Sequence, residues 1–392
     1  MELIAARSPG PVHLRQVRTG NLQALLVAML DGPASRTELA KRTGLTKATI
    51  ASLVEPLLRQ QILAEGAVLN SGRGRPSRPL HFAAAGPVAI GAEVNVGHLA
   101  VAVRRLDGST EFERRIEVDN RGAAAGDIVT RLAGLVRAAT IECGRGTLGI
   151  GLAVPGIVQD GMVVHAPNVP GLNGIRLGDQ LAAELGLPAS EVAVDNEANL
   201  AALAHVWPHR LVGDDFVYVS GDVGIGAGIV IGAAMFRGRS GFAGELGHVA
   251  IERAGRACPC GNHGCVEQYA GLVAILRAAG VRDLDALLRA LDHGNVRART
   301  AVERAGAALG AALAALVNLC DVPAVVLGGS YAALYDSIAP GVRNALGIGV
   351  LAAARRPIQL TASALGSGAA IHGAAALITR RCCLDPELLR CR

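Results

Sequence analysis

Three cysteines and a histidine between residues 248 and 265 lie close enough in sequence to hold one metal ion. His248 is followed by Cys258, Cys260 and Cys265. Thiolates and an imidazole suit a borderline-soft ion such as Zn²⁺, and four protein ligands leave no open position for catalysis. The sequence therefore predicts a structural zinc site, which requires the chain between the ligands to fold back on itself. The alternative interpretation is a set of reduced, buried thiols without a metal.

The length and the remaining cysteines limit the class of protein. The 392 residues are too many for one small core and indicate about two or three domains. Cys382 and Cys383 are adjacent and the other cysteines are scattered, so no disulfide framework is expected. The N-terminus lacks a basic segment followed by an apolar run, which argues against a signal peptide. Ala305 to Cys320 is uncharged but shorter than the roughly 20 residues of a membrane span. These features predict a cytoplasmic protein that does not cross a membrane.

Positive charge is concentrated at the N-terminus. Residues 1–82 hold eleven Arg and Lys against five Asp and Glu, a balance of +6, whereas the rest of the chain holds 27 against 28. The two lysines of the chain, Lys41 and Lys47, both lie in this segment. A basic module on a nearly neutral body is the electrostatic footprint of binding to a phosphate backbone.

The basic segment also carries the start of a helix-turn-helix pattern. Leucines and a methionine between residues 22 and 30 recur at helical spacing and predict a first helix. Ser35 and Glu38 are spaced as a capping box, which predicts a second helix over 36–43 that Gly44 ends.

A third helix is predicted from Lys47 onward, with Thr46 as its cap, and Pro56 should kink it or end it early. The second helix of such a pair usually enters the major groove of DNA. The expected DNA contacts are exposed residues near the start of this helix and one residue on the helix before it: Thr46, Lys47, Thr49, Ser52 and Arg36.

Two short strands, near 62–65 and 80–82, should flank a wing around residues 72–76. Arg73 and Arg75 alternate with glycines there and could lie in a narrow minor groove, where negative potential is strongest. The alternative is a solvated basic linker. Because the segment follows a helix-turn-helix in the basic part of the chain, DNA contact is favoured. A winged helix-turn-helix domain is therefore predicted over residues 1–82.

From residue 88 the sequence alternates between apolar strands, glycine loops and alanine-rich helices. This mixture indicates an α/β body, with two lobes and a cleft between them. The expected core strands are 88–94, 99–103, 148–154, 216–219 and 324–327. The expected helices are 124–140, 178–186, 197–206, 270–279, 296–319 and 367–380.

Four segments of this body resemble the ROK family, which contains repressors, open reading frames and sugar kinases. They are Asp195–Asn199, Asp222–Gly228, Gly244–His248 and Cys258–Glu267. The resemblance covers essentially the whole chain, and the head is similar to that of the family's xylose-repressor-like regulators. It implies a two-lobed actin-like (ribonuclease H-like) body over residues 83–392, with lobes of about 83–205 and 206–392. It also implies a sugar bound between the lobes and a homodimer or tetramer.

The resemblance also assigns residues. The implied zinc ligands are His248, Cys258, Cys260 and Cys265, while His263 occupies a variable motif position and is expected to be an exposed loop residue. The implied sugar-binding residues are Asn196, Glu197, Glu245, His248 and Glu267, and Asn168 matches a family loop near the sugar. Carboxylates and an amide can pair with neighbouring hydroxyl groups, which gives discrimination between sugars. Alternatively, Asn196 only caps the helix that follows it.

Two glycine loops bear on whether such a body transfers phosphate, because phosphoryl transfer depends on positioning. The family's kinases begin the fold with Asp-x-Gly-Gly-Thr, whereas this chain reads Glu93-Val-Asn95-Val96-Gly97. Glu197 stands at the position of the catalytic aspartate and is one methylene longer. The second loop keeps its glycines, and we interpret it as a vestigial phosphate loop: Gly224, Gly226 and Gly228.

The sequence therefore predicts a sugar-responsive transcriptional regulator, usually a repressor in this family, that is not an enzyme. Its expected partners are a double-stranded operator, a monosaccharide or sugar-phosphate effector, and further copies of itself. The alternative is an ATP-dependent sugar kinase, or a bifunctional kinase and regulator, with an appended DNA-binding head.

Overall fold

The N-terminal head consists of three helices and a small hairpin. The computed structural model describes residues 14–67 and 78–389. The head elements are α1 (Leu14–Met29), α2 (Arg36–Thr43), α3 (Lys47–Arg59), β1 (Leu63–Glu65) and β2 (Leu80–Phe82). The two strands pair antiparallel, as a wing requires. The wing tip, with Arg73 and Arg75, lies outside the described residues.

Helices α2 and α3 begin where capping chemistry predicts. The Ser35 hydroxyl accepts a hydrogen bond from the Glu38 amide at 3.2 Å, and the Glu38 carboxylate accepts one from the Ser35 amide at 2.7 Å. These two bonds complete the capping box. Gly44 ends α2 with a φ of 72°, a left-handed conformation that glycine adopts without strain. The Thr46 hydroxyl caps α3 by accepting from the Thr49 amide at 3.1 Å.

Helix α3 does not end early at Pro56, so that part of the prediction is wrong. The helix continues to Arg59. Proline removes one backbone hydrogen bond from a helix interior. Leu53, Val54 and Leu57 on the same helix are buried in the head's core, and their packing offsets the missing bond because tertiary packing supplies most helix stability.

The first lobe is built on a mixed five-stranded sheet. Its elements are β3 (Val88–Val94), β4 (His98–Arg105), β5 (Thr110–Glu117), α4 (Ala125–Cys143), β6 (Thr147–Val154), β7 (Ile157–Gln159), β8 (Met162–His165), α5 (Leu177–Leu185), β9 (Val192–Asn196) and α6 (Glu197–Val206). The strand order is β5-β4-β3-β6-β9. The first three strands are antiparallel, and β6 and β9 run parallel to β3.

The second lobe repeats this arrangement. Its elements are β10 (Phe216–Gly221), β11 (Ile225–Ile231), β12 (Ala234–Met235), α7 (Glu267–Ala270), α8 (Leu272–Ala279), α9 (Leu284–Asp292), α10 (Val296–Cys320), β13 (Ala324–Gly329), α11 (Ser330–Ala333), α12 (Tyr335–Gly349), β14 (Gln359–Ala362) and α13 (Ala369–Leu384). The strand order is β12-β11-β10-β13-β14. Counted along the chain within each five-stranded sheet, the strands of both sheets therefore have the order 3-2-1-4-5. This repetition confirms the predicted two-lobed actin-like body.

The last helix, α13, crosses back to the first lobe. It packs on β3 and β6 and against α6. The approach is so close that a Cβ atom on Gly151 of β6 would lie 1.9 Å from the Ala374 carbonyl oxygen of α13. The division of the body between residues 205 and 206 stays a proposal. Helix α13, although it is the last helix of the chain, packs on the sheet of the first lobe.

The expected core strands and helices are all present, with ends that shift by up to a few residues. The helix expected over 270–279 is divided at Gly271 into α7 and α8. Several elements were not expected, among them β5, β9, β11, β14, α9 and α12. Strand β5 reads Thr-Glu-Phe-Glu-Arg-Arg-Ile-Glu at the edge of its sheet, so it has no apolar run that would mark it as a strand.

One described helix, α10, is long and apolar enough to cross a membrane. It extends beyond the uncharged stretch from Ala305, because it begins at Val296 and spans 25 residues. Its buried residues lie in the core of the second lobe, where it packs against α8 and α12. This packing indicates a core helix.

Candidate functional site

The four predicted metal ligands lie together in the second lobe. The ligand atoms of His248, Cys258, Cys260 and Cys265 are all within 4.8 Å of one another. The Cys260 and Cys265 sulfurs are 3.7 Å apart, and the Cys258 sulfur is 3.8 Å from His248 Nδ1. A tetrahedron with metal–sulfur bonds of about 2.3 Å has edges of about 3.8 Å, so this cluster could hold a metal ion. His263 is exposed and lies outside the cluster.

Short backbone contacts fold the chain around this cluster. An antiparallel bridge joins Ala250 to Cys265, and the Cys265 thiol reaches the His248 carbonyl oxygen at 3.5 Å. Gly264 has a φ of 75°, and a Cβ there would lie 1.8 Å from the Glu252 carbonyl oxygen. Only glycine fits at this position, which explains why the motif has glycine just before its last cysteine.

The chemistry of the thiols fits a divalent cation. Burial raises the pKa of the Cys258 thiol, and burial together with the neighbouring cysteines raises the pKa of Cys265 to about 12. Without a cation these thiols would remain protonated, whereas a bound metal stabilises the thiolate form. The Gln268 amide nitrogen lies 3.6 Å from the Cys258 sulfur and could donate to it. Such surrounding donors orient the ligands of a metal site.

His248 connects the cluster to the cleft between the lobes. Its Nδ1 faces Cys258, while its Nε2 lies 3.9 Å from Glu245 Oε2. Burial raises the pKa of Glu245, and the negative charge of Glu267 contributes in the same direction. The predicted sugar-binding residues Glu245, His248 and Glu267 are thus within electrostatic reach of one another. They form one polar surface next to the metal cluster.

Glu267 holds the turn between β10 and β11. Its Oε2 accepts a hydrogen bond from the Ile225 amide at 3.1 Å, and a Cβ on Gly224 would lie 2.8 Å from that oxygen. The same turn is fixed on its other side by Asp222, which accepts from the Ser330 amide at 3.2 Å. Gly224 therefore makes room for the Glu267 carboxylate.

The other two glycines of this hairpin also serve packing. Gly226 and Gly228 lie within strand β11, not in a loop as interpreted from the sequence. A Cβ on Gly228 would lie 2.6 Å from the Ala198 carbonyl oxygen of α6, and one on Gly226 would lie 3.0 Å from the Ala198 methyl group. The close approach of α6 to β11 accounts for both residues. The loop interpretation for these two glycines is wrong, because the chain turns earlier, at residues 222–224.

Asn196 acts as a helix cap. Its Oδ1 accepts from the Ala198 amide at 2.8 Å and from the Asn199 amide at 3.1 Å, and its Nδ2 donates to the Gly156 carbonyl at 2.8 Å. The capping interpretation therefore accounts for Asn196 in this structure. Its contact with a sugar stays a prediction.

Glu197, the first residue of α6, lies among acidic neighbours. Burial raises its pKa to about 8, and the negative charges of Glu93, Asp222 and Glu245 contribute. Its carboxyl group is therefore mainly protonated near neutral pH, and it can donate a hydrogen bond from a hydroxyl.

The turn at Glu93–Gly97 is filled by side chains. Val96 is buried in the core of the first lobe, and the Asn95 side chain accepts from the Gly97 amide at 3.3 Å. Glu93 is buried with its Oε1 3.5 Å from His98 Nε2. The turn connects β3 to β4, and its Asn95 and Gly97 amides are already hydrogen-bonded within it.

In the head, the start of α3 presents polar groups to solvent. Thr46, Lys47 and Ser52 are exposed and Thr49 is half-buried. Among the described residues Lys47 has no hydrogen-bond or ion-pair partner. A cation at a helix N-terminus is disfavoured by the helix dipole, so a nearby anion would stabilise it.

Arg36 differs from Lys47, because its guanidinium is already paired. It donates to the Glu65 carboxylate of β1 at 2.8 Å. The pair stabilises the head by joining α2 to the hairpin, and a DNA contact by Arg36 would compete with it.

Sequence reasoning missed one contact in the cleft. The Arg237 guanidinium, two residues after β12, pairs with the Asp195 carboxylate at the end of β9. Asp195 itself belonged to a recognised motif. Arg237 carried no comparable signal, because its partner is 42 residues away in the chain and lies in the other lobe.

Comparison with known proteins gives the following relationships. A sequence model of the ROK family matches residues 89–381. The xylose repressor of Bacillus subtilis (strain 168) is 27% identical over 370 residues, which cover 92% of this chain and 95% of that repressor.

Two solved structures show how far the similarity extends. A ROK family transcriptional regulator, a homologue of the Escherichia coli MLC protein, has a TM-score of 0.79 at 25% identity and covers 95% of this chain and 98% of its own. A ROK family glucokinase from Streptomyces griseus, in complex with glucose and AMPPNP, has a TM-score of 0.65 at 28% identity. It is matched over 98% of its length but covers only 74% of this chain. The regulator thus matches head and body, and the kinase leaves about a quarter of this chain without a counterpart.

Proposed function

This chain belongs to the ROK family, and from that premise we propose that it is a sugar-responsive, DNA-binding transcriptional repressor. The observation that carries the proposal is the capped helix-turn-helix, in which Lys47 has no partner among the described residues, on the same chain as an acidic interlobe cleft. A regulator of the family matches 95% of the chain, which includes this head.

We assign DNA binding to residues 1–82 and sugar binding to residues 83–392. Thr46, Lys47, Thr49 and Ser52 would contact bases and phosphates in the major groove. Arg36 would join them only by leaving Glu65, and Arg73 and Arg75 would follow the minor groove from the wing. Because helix-turn-helix proteins read paired half-sites, the active form would be a homodimer or a tetramer in the cytoplasm.

The effector site would lie where the two lobes meet. Glu197, Glu245, His248 and Glu267 offer a donor carboxyl, acceptor carboxylates and an imidazole to vicinal hydroxyl groups. Asn196 would add an amide next to Gly156. The effector would be a monosaccharide or a sugar phosphate.

We further propose that the metal is Zn²⁺ and that it is structural. His248, Cys258, Cys260 and Cys265 would fill all four positions of a tetrahedron, which leaves none for a reacting group. The ion would fix the His248 ring through Nδ1 and so present Nε2 towards Glu245 and the sugar.

Two features argue against phosphoryl transfer. The base must be positioned accurately at the attacking hydroxyl, yet Glu197, which stands at the position of the catalytic aspartate, is one methylene longer. In the turn after β3 the Gly97 amide already donates to the Asn95 side chain and Val96 is buried, which leaves fewer free backbone amides for a phosphate. A regulator needs neither group.

A sugar kinase is the second candidate, because a glucokinase bound to glucose and AMPPNP matches the body over 98% of that enzyme. Turnover of ATP with D-glucose and D-xylose distinguishes the two functions. We expect no sugar-dependent release of ADP above the rate of a Glu197→Ala variant. Sugar-dependent release of ADP that is lost in Glu197→Ala would establish the kinase instead.

The main experiment measures the affinity of the protein for the DNA upstream of its own gene. It is carried out with and without one monosaccharide, which is chosen from a panel because it raises the melting temperature of the protein most. We expect the sugar to weaken DNA binding about tenfold, a coupling of about 1.4 kcal/mol. By linkage, the sugar should bind about tenfold less tightly to the DNA complex. Added ATP should change neither value.

Two substitutions and one truncation locate the functions. Glu245→Ala and Glu267→Ala should keep DNA affinity near that of the wild type but lose the sugar response. A protein that lacks residues 1–82 should keep the sugar-induced thermal shift and lose DNA binding. Equal DNA binding without the head would refute the proposal, and a wild-type sugar response in Glu245→Ala would place the effector site elsewhere.

A further inference from the structure

One ion pair joins the two lobes next to the proposed effector site. Asp195 is the last residue but one of β9, in the sheet of the first lobe, and Arg237 lies two residues after β12, in the sheet of the second. The Arg237 Nη2 donates to Asp195 Oδ2. The Asp195 side chain is only 10% exposed, whereas Arg237 is 41% exposed and remains in contact with solvent.

The Asp195 end of this pair supports the start of α6. Its other oxygen, Oδ1, accepts a hydrogen bond from the Asn196 amide at 2.8 Å and lies 3.4 Å from the Asn199 Nδ2. The next residue, Glu197, is the first of α6. The carboxylate therefore fixes the backbone that carries two of the proposed sugar contacts.

The Arg237 end supports the loop that leads to Glu245. The loop closes on itself through the Ala243 amide, which donates to the Arg237 carbonyl at 3.3 Å. It also touches the first lobe a second time, because a Cβ on Gly241 would lie 2.8 Å from the Val158 carbonyl oxygen. Glu245 follows only two residues after Ala243. The loop is therefore held against the first lobe where it approaches the site.

We propose that Arg237 is a positioning residue of the effector site: its pairing with Asp195 sets the distance between the sugar groups of the two lobes. Asn196 and Glu197 lie on the Asp195 side, and Glu245 lies at the end of the Arg237 loop. Neither residue needs to touch the sugar for this role. The proposal rests on the proposed function, because it concerns the sugar that the cleft would bind.

The direction of the effect follows from preorganisation. The pair holds the loop against the first lobe, so part of the cost of ordering the loop and the lobes is met before the sugar binds. Without the pair, the loop and the lobes become ordered only when the sugar binds, and the cost of this ordering reduces the net free energy of binding. Loss of Arg237 should therefore weaken sugar binding.

The experiment compares sugar affinity in Arg237→Gln, Asp195→Asn and the double variant, measured calorimetrically with D-xylose and D-glucose as probes. Asp195→Asn keeps the Oδ1 acceptor and replaces Oδ2, which accepts from Arg237, by an amide nitrogen that carries no charge and cannot accept. We expect each single variant to bind about tenfold more weakly, and the double variant to be no weaker than either. Arg237→Lys, which keeps the charge but not the planar guanidinium, should recover part of the affinity.

Arg239→Gln is the matched control, because Arg239 is exposed in the same loop and has no ion-pair partner within the described part of the chain. It should bind sugar as the wild type does. Unchanged or tighter sugar binding in Arg237→Gln would overturn the proposal, as would additive losses in the double variant. If the wild type binds neither probe nor any other sugar, it is the proposed function that fails, before any variant is tested.

Discussion

The head and the cleft are two kinds of site. The head is assembled from neighbours in sequence: Ser35 meets Glu38, Thr46 meets Thr49, and each helix ends at a residue that the local chain supplies. The cleft is assembled from distant segments, because Glu267 reaches back 42 residues to Ile225 and Arg237 reaches back 42 residues to Asp195. Changes in the head should therefore have local effects, whereas changes in the cleft should affect several segments together.

The metal cluster belongs to the cleft in function but resembles the head in construction. All its ligands lie within one stretch of the chain, between His248 and Cys265. The folded cluster would support Glu245. Because Glu245 lies at the end of the loop that begins at Arg237, the cluster would also support the contact between the lobes. Removal of the metal is the strongest test of how far the cleft depends on this support.

The largest expected effect is that of Cys260→Ala. Three ligands hold Zn²⁺ much less tightly than four, so metal content should fall from about one ion per chain to near zero. The sugar-induced thermal shift should disappear with it, because His248 loses its fixed orientation. DNA affinity without sugar should stay near the wild-type value, since the head packs in one hydrophobic cluster with α13, apart from the cluster next to the metal ligands. Elemental analysis, thermal shift and DNA titration measure the three quantities.

Cys143→Ala is the control, since Cys143 lies at the end of α4 in the other lobe, outside the metal cluster. It should retain the metal. Wild-type protein that is kept reduced, never meets a chelator and still holds clearly less than one metal per chain would contradict the zinc proposal. A full loss of DNA binding in Cys260→Ala would contradict the independence of the head.

The reverse case is Lys47→Ala, which should affect the head alone. As a phosphate contact, Lys47 should contribute about 0.9 to the slope of log affinity against log salt concentration. The variant should lose a few-fold in affinity for every duplex at moderate salt, while its sugar-induced thermal shift is unchanged. Binding titrations over a range of salt concentrations measure the slope.

Arg59→Ala tests the other end of the same helix, where the guanidinium is paired with Glu55 at 3.7 Å. Its salt slope should equal that of the wild type. If Lys47→Ala leaves the slope unchanged, then the start of α3 does not meet a phosphate, and the predicted orientation of the head on DNA is wrong.

The same contrast explains what the sequence could predict. Capping boxes, helical spacing and the Cys/His cluster are short-range signals, so the bounds of α2, the start of α3 and the four metal ligands follow from the residues themselves. The fold of the body and the cleft residues came from motif resemblance, because periodicity alone does not specify which strands pair. The structure confirms the fold that the resemblance implies, whereas the sugar contacts remain a prediction.

The prediction of functional residues from the sequence was weakest for residues that also have a structural role. Gly226 and Gly228 have the spacing of a phosphate loop, but the close packing of α6 on β11 needs them as well. Asn196 has the position of a sugar ligand and the contacts of a helix cap. Arg237 could not be identified, because a single arginine in a loop gives no indication of a carboxylate in the other lobe.

The smallest expected effect concerns the protonation of the cleft. The pKa of Glu197 is raised to about 8 in the folded protein, well above its ordinary value of 4.5. The folded state therefore keeps a proton between those two pH values that the unfolded state releases, so rising pH lowers the free energy of unfolding across this window. Below the window the two states bind the proton equally and the effect is absent. Above about pH 8 it is complete.

Glu197→Gln should remove this dependence, because the amide resembles the protonated carboxyl and cannot ionise. The melting temperatures of variant and wild type should nearly coincide at pH 5, and the variant should melt higher by several °C at pH 8.5. Glu142→Gln, at an exposed site on α4, should follow the wild type throughout. A difference that does not change with pH would show that Glu197 is ionised in the folded protein. In that case Glu197 cannot donate a hydrogen bond to a sugar hydroxyl at neutral pH, and the cleft would offer only acceptor carboxylates where the proposed effector site needs a donor as well.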